Sequence, residues 1–62
     1  MKTSIINASQ FVDICEALED EIITETGSIF VHEGIHPQHG PVVLVTNALS
    51  DEDIVMVIKR AA

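Results

Sequence analysis

Ser50-Asp51-Glu52-Asp53-Ile54-Val55-Met56-Val57-Ile58-Lys59-Arg60 is the stretch on which the fold turns. Ile54, Val55, Val57 and Ile58 are β-branched, which suits a buried strand as well as a helix. The flanks favour the helix. Ser50 reads as its cap, the three acids fall in the positive first turn, and Lys59 and Arg60 fall in the negative last turn. On that reading Ile54, Val57, Ile58 and Ala61 share one face.

Upstream, Ser28 to Glu33 and Val42 to Thr46 are runs rich in β-branched residues. They are separated by Gly34-Ile35-His36-Pro37-Gln38-His39-Gly40-Pro41, whose two Gly and two Pro punctuate a long turn, so an antiparallel hairpin is expected. Before it, Phe11, Ile14, Cys15, Leu18 and Ile22 recur at spacings of three and four, the stripe of a helix packed on a sheet. That helix runs from about Gln10 to Thr26, capped by Asn7 or Ser9 and closed by Gly27. Thr3 to Ile6 is at most a short strand. The expected fold is α/β (α+β): a small two-layer sandwich in the order (β)-α-β-β-α, with residues 1–62 forming a single small acidic domain.

Composition bounds the function. A chain of 62 residues buries only roughly 60% of its unfolded surface, yet 47% of these residues are apolar. Self-association is a natural way to cover the surplus, and the chain is expected to form a homo-oligomer. Val12 and Ile23 lie off the main stripe and are candidates for such a contact. Ten Asp and Glu against three Lys and Arg give a net charge of −7, which repels phosphates and anionic lipid and disfavours direct nucleic-acid binding. No apolar run is long enough to span a bilayer, and no secretory signal is evident, so a cytoplasmic setting is expected. The sequon Asn7-Ala8-Ser9 is then a helix start rather than a glycosylation site. The single cysteine, Cys15, excludes an internal disulfide and a cysteine zinc knuckle, and its place on the apolar stripe reads as a buried, inert thiol.

His32-Glu33-Gly34-Ile35-His36 spells H-E-x-x-H, which would place two zinc ligands and a general base on one helix face. Here β-formers precede it, Gly34 interrupts it and Pro37 follows, so the segment is not expected to be helical. The three histidines His32, His36 and His39 still fall within eight residues on or beside the loop. They could ligate zinc or nickel if the backbone held them, with Glu33 as base in a catalytic version, or they could form a pH-responsive loop. An unliganded turn is the simpler alternative.

Asp13, Glu16 and Asp20 recur at three and four along the expected first helix, with Glu19 beside them and Glu21 and Glu25 flanking the apolar stripe. Like charges at that spacing cost a few tenths of a kcal/mol per pair. They form either a solvated face or a docking surface for a basic groove, including mimicry of nucleic-acid phosphates. The sequence therefore points first to a non-enzymatic interaction module, a regulator or inhibitor binding a basic protein surface through Asp13, Glu16, Glu19 and Asp20. A metal-binding protein using His32, His36 and His39, and a structural subunit of a homo-oligomer, stand as alternatives.

Overall fold

A computed structural model describes residues 1–59. The element order is β1 (Lys2–Ile6), α1 (Ala8–Ala17), β2 (Glu19–Thr26), β3 (Ile29–His36), β4 (Gly40–Asn47) and β5 (Ser50–Ile58). The five strands form one antiparallel sheet in the order β1-β5-β4-β3-β2. The expected two-helix sandwich is thereby overturned: the described residues are mostly sheet, with one short helix among them.

The largest correction is Ile54–Ile58, which lies in strand β5. This strand sits between β1 and β4, with Met56 opposite Ser4 on one side and Leu44 on the other. Ile54 and Met56 are buried, whereas Val55 and Val57 alternate onto the other face. A strand paired on both sides and partly buried on both faces reads as a continuous apolar run, and that is why its alternation is hidden in the sequence. The helix reading of Arg60 and Ala61 lies outside the described residues.

The first helix is real but shorter than its stripe. Asn7 caps it in a capping box: its side chain accepts from the Gln10 backbone N–H at 2.8 Å, and the Gln10 side chain accepts from the Asn7 N–H at 3.0 Å. It ends at Ala17, where Leu18 turns extended (φ −70°, ψ 137°). The last turn holds no basic residue to oppose the dipole, and Glu21-Ile22-Ile23-Thr24 beyond it prefers a strand. Residues 19–26, expected as helix, form edge strand β2. Gly27 closes a two-residue turn into β3 at φ 61°, a left-handed conformation that favours glycine. The β3–β4 loop is also tighter than expected, since His36 already pairs with Gly40 and only residues 37–39 lie between.

Helix α1 crosses one face of the sheet. Ile6, Leu44, Ile54 and Met56 form the buried cluster, and Phe11, Ile14, Cys15 and Leu18 pack onto it from the helix side. By strand alternation Ile5, Val31, Val43, Val45, Val55 and Val57 face the other way, where no described element covers them. No helix among the described residues is long and apolar enough to cross a membrane.

Candidate functional site

Three side chains from three elements converge beside the C-terminal end of α1. The convergence starts at Gly34. A Cβ there would meet the Glu19 carbonyl oxygen at 3.1 Å and Leu18 Cβ at 3.2 Å, so the chain leaving the helix can lie this close to β3 only over a glycine. The next two residues form a bulge. Glu19 pairs with Ile35 and Ile22 with Glu33, leaving Asp20 and Glu21 together opposite Gly34. Asp20 absorbs the extra residue at φ 55°, a conformation Asp tolerates better than most residues.

The bulge directs Glu21 to the helix side, where its Oε2 lies 3.3 Å from His32 Nδ1. His32 is the more enclosed partner, at 15% side-chain exposure against 31% for Glu21. Its ring meets Phe11 of α1 edge to face, with centroids 5.1 Å apart and planes at 78°, a favoured aromatic geometry that fixes the imidazole plane. Cys15 completes the group: one ligand atom from each of Cys15, Glu21 and His32 lies within 4.8 Å of the other two. Burial, followed by the Glu21 charge and a hydrogen bond to Glu21, pushes the Cys15 thiol up to about 11. At neutral pH it is therefore a protonated thiol facing a carboxylate, not a free nucleophile. The expected buried, inert thiol is instead half-buried, with Glu21 and His32 beside it.

A cleft of about 560 Å³ opens next to this group, with Phe11, Val12, Ile23, Phe30 and Ile54 among its walls. His32 belongs to both the cleft wall and the trio. The cleft is mostly apolar, and Val12 and Ile23, singled out from the sequence for contact, both line it.

The histidines expected to act together are divided. His32 faces Leu44 across the ladder, while His36 and His39 stack at the far end of β3 with ring centroids 4.6 Å apart. His36 lies four residue steps along the strand from His32, on the order of 13 Å, too far to share one ion. The His36 Nδ1 accepts from the Gln38 and His39 backbone N–H groups at 3.1 and 3.3 Å, so that ring shapes the turn. Desolvation, and secondarily the charge of His39, lowers the His36 pKa from its ordinary value. Glu33 lies in β3 between His32 and Gly34, on the face opposite His32, and its carboxylate is 3.7 Å from the Lys59 ammonium.

The carboxylates Asp13, Glu16, Glu19 and Asp20 are all exposed, but they do not form one helical face. Asp13 and Glu16 ride on α1; Glu19 and Asp20 begin edge strand β2. With Glu21 and Glu25 they make β2 strongly acidic, and charge on an edge strand deters edge-to-edge pairing between copies. Cys15 and Glu21 are the site residues that sequence reasoning missed. Their spacing carries no signal, because Glu21 reaches Cys15 only through the break after Ala17 and the bulge that follows.

The chain matches no protein-family model, no curated protein and no solved structure.

Proposed function

We propose that this chain is a non-enzymatic interaction module that works as a homodimer, two copies meeting through the open faces of their sheets. The observation that supports this is the face opposite α1. Val31, Val43, Val45, Val55 and Val57 form its centre, and Ile22 and Ile5 at its margins are 65% and 61% exposed. An apolar surface of this extent on so small a body is costly to leave in water.

A second copy suits it better than a charged partner. The net charge of −7 belongs to the whole chain, whereas the centre of this face is apolar and its Glu33 is partnered by Lys59, so two copies can meet through the valines with Glu19 and Asp20 left at the β2 margin. Area agrees. At ~3.3 Å per strand residue and ~4.8 Å between strands, five strands offer on the order of 600 Å² per copy, or about 1,200 Å² for a pair, within the range of specific interfaces. The free Cys15 thiol suits a reducing, cytoplasmic setting.

A second contact surface is supported by the acids at the end of α1. Glu16 lies in a last turn without basic residues, against the helix dipole, and among the described residues Asp13, Glu16, Glu19 and Asp20 form no ion pair. A dimer presenting two such corners would dock on a basic protein surface, as a regulator or inhibitor does.

Sedimentation equilibrium tests the dimer. The wild-type chain should dimerise in the micromolar range, and Val45→Lys with Val57→Lys should leave a folded monomer. Should those substitutions unfold the chain, Val45→Thr with Val57→Thr keeps the shape and should weaken the dimer. A monomer up to high micromolar concentration would sink the proposal.

A further inference from the structure

We propose that Cys15, Glu21 and His32 form a zinc-binding site that ties helix α1 to strands β2 and β3. The donor set is one thiolate, one imidazole and one carboxylate, each a regular zinc ligand, and such mixed sets are satisfied by a fourth ligand from water. The site lies on the helix side of the sheet, opposite the proposed dimer face, so the two proposals stand or fall separately.

The spacing is already close to what coordination needs. Around a tetrahedral ion with bonds of about 2.0 Å to nitrogen and oxygen, these two donors stand roughly 3.3 Å apart. Glu21 Oε2 and His32 Nδ1 are 3.3 Å apart. The sulfur, with a bond of about 2.3 Å, belongs roughly 3.5 Å from each, and it now lies within 4.8 Å of both. Closing the remainder, at most about 1.3 Å, takes an adjustment of the Cys15 side chain, the shortest of the three.

The surroundings also fit. Phe11 fixes the plane of the His32 ring, and the bulge at Asp20 and Glu21 sets the carboxylate beside it. Glu21 is the most exposed of the three, which provides an approach from solvent. Zinc binding forms a zinc–sulfur bond and releases the thiol proton to solvent, while the ion takes the place of the hydrogen between Glu21 and His32 Nδ1, the neutral imidazole carrying its single proton on Nε2 instead. The carboxylate and thiolate together balance the ion's two charges, so the half-buried site passes from one negative charge to none.

The test is titration of the untagged, chelator-treated chain with zinc by calorimetry and with cobalt(II) by absorption spectroscopy. One equivalent should bind with a dissociation constant below about 10 µM and release one proton, and cobalt should give a near-ultraviolet thiolate charge-transfer band. Cys15→Ser should abolish that band and weaken zinc by at least about tenfold, and Glu21→Gln, at an exposed side chain that leaves the core intact, should weaken it comparably. The pair His36→Ala with His39→Ala should change neither affinity nor spectrum. The proposal is overturned by binding no tighter than millimolar, by a cobalt spectrum without the thiolate band, or by affinity that follows the His36 and His39 substitutions instead.

Discussion

Met56→Ala and Val57→Ala separate the strand from the helix at the position where they disagree most. A helix capped at Ser50 turns Val57 inward; strand β5 buries Met56, 8% exposed, and puts Val57 on the open face. Met56 lies opposite Ser4 and Leu44 on its two ladders, within a buried cluster that among the described residues comprises Ile6, Leu44, Ile54 and Met56. Truncating it removes about three heavy atoms from a site that α1 cannot collapse into freely, and about 2 to 3 kcal/mol should be lost. A domain of this size holds roughly 3 to 9 kcal/mol in all, so the loss is large. With an m-value near 1 kcal/mol per molar urea it lowers the midpoint by about 2 M. Val57→Ala gives up some strand preference and partial burial, and should cost under about 1 kcal/mol in the monomer. Far-ultraviolet circular dichroism is the assay, since the chain has neither Trp nor Tyr. Measurement over a concentration series removes the contribution of the dimer, because only Val57→Ala should cost more as concentration rises. Equal losses for the two variants at the lowest concentration, or a larger loss for Val57, would refute the strand assignment and the face it creates.

Asn7→Ala removes the acceptor for the Gln10 N–H and should cost about 1 kcal/mol in the same urea assay. Glu16→Lys replaces an acid with a base in the last turn of α1 and should stabilise the fold by about 0.3 to 1 kcal/mol while weakening any docking to a basic partner, a combination read from unfolding and salt-dependent association rates. Metal-free Cys15 should react slowly with iodoacetamide at pH 8 and faster towards pH 11; because its folded pKa lies above the ordinary 9.0, stability should be intact below pH 9 and fall between about 9 and 11, which unfolding at stepped pH measures. His36 should titrate below its ordinary 6.5 by proton NMR, its contribution to stability lost as pH falls through the lowered value, and His39→Ala should return its midpoint only part of the way, since desolvation is the larger cause.

How far the sequence foretold this differs by element. The start of α1 was legible because its information is local: Asn7, Gln10 and the stripe Phe11, Ile14, Cys15, Leu18 lie within two turns. Its end was not, since Ile22 continues the stripe by coincidence. The β3–β4 hairpin was legible from two β-branched runs around Gly and Pro. Strand β5 was misread because its flanking charges imitate helix caps, while the forces that extend it come from β1 and β4, distant in sequence. The same distance explains the site. His32 was noticed for its neighbours in sequence, His36 and His39, but its neighbours in space are Cys15 and Glu21.

The ladder between β1 and β5 has a kinetic consequence. β2 to β5 are joined by short turns, so each hairpin can form with little loop entropy to overcome, whereas Lys2 must find Ile58 across nearly the whole chain. The first strand should therefore zip on last, with α1 swinging over the sheet to deliver it. Until then the inner strand β5 is an unguarded edge with Ile54 and Met56 bare. Unlike acidic β2 at the opposite margin, it can capture the β1 of a second chain, so refolding at high concentration should yield exchanged dimers joined through this ladder, distinct in origin from those packed face to face.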